Sequence, residues 1–156
     1  MTRRWALLGA ALLAMIPLVI PDAARGDHDD CAVAELDGVY LFTANGFTTI
    51  SPATTPSSPK AIVEVIRFNG DGTVEVPRAT RTINGNAPIE ENPGSTGTYT
   101  VNPVPFDGIC QGSLTFAGGA PNFDLYFVQA KSDVIWEIQI DKGNVFQGSA
   151  TRVSRH

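Results

Sequence analysis

The feature that most constrains this chain is a period-two alternation of apolar and polar residues, cut at short intervals by glycine and asparagine. Successive side chains of a strand point to opposite faces, so this alternation describes half-buried β-structure, and no stretch beyond residue 26 sustains the 3.6 period of a helix. Candidate strands run over 38–45, 61–69, 72–83, 96–102, 108–117, 122–129, 133–141 and 144–153. Asn69-Gly70-Asp71-Gly72 reads as a hairpin turn, because asparagine and glycine tolerate the positive φ that tight turns demand. Ala117 to Pro121, Ala130 to Ser132 and Asp141 to Asn144 are also short enough to close hairpins. Two longer connections, Ser51 to Lys60 and Gly85 to Ser95, carry several prolines and read as surface loops at barrel mouths. The expected fold is an all-β, eight-stranded antiparallel up-and-down barrel, which leaves no open sheet edge. A two-sheet β-sandwich is the alternative, but short sequential hairpins suit a meander better than Greek-key crossings.

The alternation begins only after an N-terminal segment of different character. Met1-Thr2-Arg3-Arg4-Trp5 is followed by an uncharged run from Ala6 to Ile20 and by Pro21-Asp22-Ala23-Ala24-Arg25-Gly26. A basic start, a short apolar run and a small-residue exit describe a signal peptide over residues 1–26, cleaved after Ala24 or Gly26, and the run is short for a membrane span. Residues 27–156 are then one barrel domain of a secreted protein, periplasmic or extracellular. Its loss removes Arg3, Arg4, Arg25 and Asp22, so the net charge moves from −5 to −7. The remaining cations, Lys60, Arg67, Arg78, Arg81, Lys131, Lys142, Arg152 and Arg155, form no stripe, which excludes a nucleic-acid partner.

Both cysteines, Cys31 and Cys110, lie in the exported part, where an oxidising compartment favours pairing. One bridge closing that loop is worth about 4 kcal/mol in the chain-entropy model. Two free thiols or a metal pair is the alternative. The histidines, His28 and His156, sit at the ends of the exported part, so a Ser-His-Asp triad is not expected. Asp27-His28-Asp29-Asp30 reads as a solvated leader, and neither a metal nor a cofactor is expected.

Polar residues that interrupt an apolar face are the remaining signal. Over 61–69, Ile62, Ile66 and Phe68 share a side with Glu64, while Val63 and Val65 share the other with Arg67, so a carboxylate or a guanidinium points inward. Over 133–141, Val134, Trp136, Ile138 and Ile140 oppose Glu137, Gln139 and Asp141, and the tryptophan face is taken as the inside. Over 122–129, Tyr126 fits either face beside Phe123, Leu125 and Phe127. Candidate ligand-binding residues are Glu64, Phe68, Tyr126, Phe127 and Trp136. An eight-stranded barrel is either filled by side chains or just wide enough for one small ligand, and the sequence leaves both open.

Several short motifs carry a resemblance. The stretch from Cys31 to Phe42, the Phe68-Asn69-Gly70-Asp71-Gly72 turn, Gly97-Thr98-Tyr99-Thr100-Val101-Asn102-Pro103, the run Cys110-x-Gly-x-Leu-Thr-Phe and Gly148-Ser149-Ala150-Thr151-Arg152 together resemble secreted bacterial calycin-like barrels, near the allene oxide cyclase type. The segment Val104 to Ile109 departs from that pattern. The resemblance implies a barrel and a Cys31–Cys110 bridge, and it carries no activity, because fold alone does not transfer function. The expected function is non-enzymatic binding of a small apolar ligand or an extracellular protein partner. The alternatives are an inhibitor or interaction module acting through its loops, and a cofactor-free cyclase or isomerase in which Glu64, Tyr126 or Glu137 supplies a proton or hydrogen bond.

Overall fold

The computed structural model describes residues 31–48, 57–91, 94–104, 108–119, 121–129 and 132–155. The expected signal peptide, the Asp27 to Asp30 leader, His156 and most of the Ser51 to Lys60 connection lie outside them. A single 3-10 turn, Val33–Leu36, precedes the strands. These are β1 (Gly38–Thr48), β2 (Ser58–Phe68), β3 (Thr73–Ile83), the short β4 (Ile89–Glu91), β5 (Ser95–Pro103), β6 (Ile109–Phe116), β7 (Asn122–Val128), β8 (Val134–Gln139) and β9 (Asn144–Ser154). Each long strand pairs antiparallel with the next, and β9 pairs back onto β1, so eight strands close into an up-and-down barrel rather than two facing sheets. The Gly85 to Ser95 connection is more than a loop. Its β4 pairs with Ala79–Arg81 of β3, beyond the point where β5 leaves off at Val76.

The hairpin at Asn69-Gly70-Asp71-Gly72 forms as its residues dictate. Gly70 and Gly72 adopt φ of 72° and 91°, conformations costly for any residue with a Cβ, and Asp71 accepts from both the Thr73 amide (2.9 Å) and its hydroxyl (2.6 Å). Strand β3 contains a bulge: Val65 faces Arg78, yet Arg67 faces Glu75, so an extra residue lies on β3 beside Pro77. Proline has no amide hydrogen to give to a ladder, which is why it sits at the irregularity. The bulge switches the inward phase from Val74 and Val76 to Ala79 and Arg81.

Phe42, Ile66, Phe68, Leu114, Phe123, Leu125, Phe127, Ile135 and Phe146 fill the interior, each burial contributing about 1.5–3 kcal/mol. Near the β1 start the filling is dense: Phe68 meets Tyr40 and Tyr99 edge to face, with ring centroids 5.3 and 5.0 Å apart. That end is closed. Leu36 of the 3-10 turn is fully buried over it, and the Cys31–Cys110 disulfide ties the turn to β6. Arg152, from β9, lies under the plug. Its guanidinium donates to the Tyr40 hydroxyl, the Ser132 hydroxyl (2.8 Å) and the Glu35 carbonyl, and Tyr40 donates in turn to the Ser132 carbonyl (2.9 Å).

Candidate functional site

At the opposite mouth the barrel is not filled. A chamber of about 250 Å³ opens there, walled by Ile62, Val76, Ala79 and Phe116, with Pro121 at the lip. Strand alternation places Lys60 and Glu64 on the same inward side of β2 as Ile62, and the bulge brings Arg81 to that side of β3. The chamber therefore combines apolar walls with Ser95 and Thr96 of β5, one carboxyl within and two cations at the rim. The Lys60 ammonium also lies 4.2 Å from the centre of the Phe146 ring, a cation–π contact. Burial, followed by the neighbouring Arg81 charge, lowers the Lys60 pKa.

A second carboxyl faces the interior from β8. Glu137 is 4% exposed and its Oε1 has no hydrogen-bond partner among the described residues. Gly148 and Ala44 stand level with it on β9 and β1, where the two strands approach closely: a Cβ on Gly148 would stand 2.1 Å from the Thr43 carbonyl and 2.5 Å from the Ala44 Cβ. Loss of water around the buried group, reinforced by the charge of Glu64, pushes the Glu137 carboxyl up to about 8. Burial likewise raises Glu64 to about 7, with Lys60 pulling the other way. Near neutral pH Glu137 is thus mainly a carboxylic acid and Glu64 only partly so, and the protonated form can donate a hydrogen bond as well as accept one.

The expected inside face of β8 requires correction. Ile135 is fully buried and Glu137 nearly so, whereas Trp136 and Ile138 are about half exposed on the outer wall. Four apolar residues at alternate positions outweighed two carboxylates and an amide in the sequence, but the barrel keeps the Glu137 carboxyl inside and leaves the tryptophan out. Tyr126, directly opposite Trp136 across β7 and β8, is on the outer wall too. Phe68 and Phe127 lie in the buried core, and neither borders the chamber. Of the five candidate residues, Glu64 alone lines it. Lys60 and Arg81 were not singled out in the sequence; Pro77 in mid-strand was the one signal that the facing of Arg81 would reverse.

Fold and site together define a closed, disulfide-tied, eight-stranded up-and-down β-barrel with a chamber at one mouth. The bridge is consistent with an oxidising compartment. No protein-family model and no curated protein matches the chain. Among solved structures it is similar to a redesigned β-barrel, mFAP1, solved bound to DFHBI, at 16% identity and a TM-score of 0.38, over 78% of this chain and 98% of that one.

Proposed function

We propose that this protein is an exported, calycin-like barrel, freed of a signal peptide over residues 1–26, that binds one small, mainly apolar molecule in the chamber between Glu64 and the Lys60–Arg81 rim. The observation that carries this reading is the contrast between the two ends. One is plugged by Leu36 and a buried hydrogen-bond network, while the other is left open over apolar walls with one carboxyl inside. Concave, apolar sites with few polar groups are how proteins hold small ligands, and a volume below the usual 300–1,000 Å³ or so selects a compact one. Burying about 300 Å² of ligand surface is worth roughly 7 kcal/mol before association costs, so apolar burial alone caps affinity at the micromolar level and the polar contacts must offset the cost of association.

The test is titration with anilinonaphthalene sulfonate, an apolar fluorophore whose anionic group suits the cationic rim. A single saturable site is expected, weakened by Ala79→Leu, which fills the chamber wall, and unaffected by Trp136→Ala on the outer wall. Absence of saturable binding by the folded protein, or binding lost with Trp136→Ala alone, sinks the reading. A second reading, a cofactor-free isomerase or cyclase, is favoured by the neighbouring raised carboxyls of Glu64 and Glu137, since a general acid works best with a pKa near the operating pH. It requires Glu64→Gln to abolish turnover while leaving binding intact.

A further inference from the structure

The outer wall carries a second concavity, of about 480 Å³, on the side of the barrel formed by β1, β9, β8 and β7. Its side chains fall into two outward rows set by strand register. Thr43, Ser149, Trp136 and Tyr126 stand level across the four strands, and Asn45, Gln147 and Ile138 form the next row. Glu137 and Gly148 contribute to the floor from their strands, where alternation turns the Glu137 side chain into the barrel. The groove thus pairs aromatic rings with side-chain hydroxyls and amides. The side chains lining it are uncharged apart from the inward Glu137, and the second row meets a carboxylate only at its edge, where Asp124 of β7 stands opposite Ile138.

We propose that this groove binds a neutral carbohydrate, with pyranose rings stacked on Trp136 and Tyr126 and their hydroxyls bonded to Thr43, Asn45, Gln147 and Ser149. A sugar ring has an apolar C–H face and a hydroxyl-rich edge. The C–H face suits the electron-rich face of an indole or phenol ring, and the edge needs uncharged donors and acceptors beside it. Both are present at neighbouring positions. Four strands spaced about 4.8 Å apart span roughly 14 Å, enough for a short run of rings. A purely apolar partner fits poorly, because covering Thr43, Asn45 and Gln147 without replacing their hydrogen bonds to water costs free energy at each one. An anionic ligand finds no opposite charge in the groove, and a cationic one finds only Asp124 at its edge. The exposure of Trp136, at 51%, leaves apolar surface in water that a stacked ring would cover.

The experiment titrates the exported protein with cellohexaose, chitohexaose and maltohexaose, following tryptophan emission. Trp136 is the reporter, because the other tryptophan, Trp5, lies in the expected signal peptide. A saturable change with at least one hexasaccharide is expected, weakened about tenfold or more by Tyr126→Ala, as loss of a central aromatic contact typically costs. Calorimetry on Trp136→Ala should show the same loss while that variant still binds anilinonaphthalene sulfonate, which separates the groove from the chamber. No saturable response to any of the three sugars overturns the proposal. So does sedimentation showing self-association that Trp136→Ala abolishes, since a second copy would then be what covers the groove.

Discussion

Ile135, Trp136 and Glu137 are consecutive, and the barrel wall runs between them. The isoleucine and the glutamate face inward while the tryptophan faces out, so the largest side chain of the three contributes least to the core. Ile135→Ala should therefore destabilise the protein by about 2–5 kcal/mol, the range for truncating a fully buried aliphatic residue. Trp136→Ala should cost less, about 1 kcal/mol, the scale of a lost cross-strand aromatic pair on a half-exposed strand. Urea unfolding of the two variants measures both. A reversed order would put the tryptophan face back inside the barrel, together with the sequence expectation that placed it there.

At the scale of elements, the two barrel ends are built by different means. The closed end depends on one side chain from the last strand reaching under a turn that precedes the first, so Arg152 links segments more than a hundred residues apart. Arg152→Ala would leave the Tyr40 and Ser132 hydroxyls without that donor and should cost about 3 kcal/mol, the upper range for hydrogen bonds to a charged group. Thermal unfolding should show the loss, and proteolysis should cut first near Val33–Leu36 if the plug is released. An unchanged midpoint would mean that Leu36 and the disulfide hold the end without it. Most of the strands were legible in the alternation because a closed meander buries one face of each strand. What was not legible has local causes. The bulge at Pro77 reverses the facing of Arg81, β4 forms within a connection whose prolines suggested a loop, and the inward Glu137 lies level with Gly148 and Ala44, small residues that are distant from one another or from it in sequence. The chamber could not be read from residue types, since its walls use the same apolar residues as a solid core.

At the scale of the whole molecule, the two interior carboxyls tie stability to pH in an unusual direction. Glu64 and Glu137 hold their protons to about 7 and about 8, against an ordinary value near 4.5, so between about pH 4.5 and 8 the folded protein binds more protons than the unfolded chain. Stability should therefore fall as pH rises through this window, by up to about 1.4 kcal/mol per pH unit for each group that has ionised only in the unfolded state, and level off above it. Asp141 acts oppositely at lower pH. Burial works to raise its carboxyl, but hydrogen bonds from the Asn122 amide and side chain and from Gln139 outweigh it and hold the group low. Its contribution is present above the unfolded pKa and is lost as pH falls through the acidic range, so the stability maximum should lie in mildly acidic solution. Denaturant midpoints from pH 4 to 9 would trace the curve. Glu137→Gln, which keeps the shape and cannot ionise, should flatten the descent and be more stable than the parent above pH 8. A parent protein whose stability rises between pH 5 and 8 would show that neither carboxyl is held neutral inside the barrel, and the isomerase reading would lose its general acid with it.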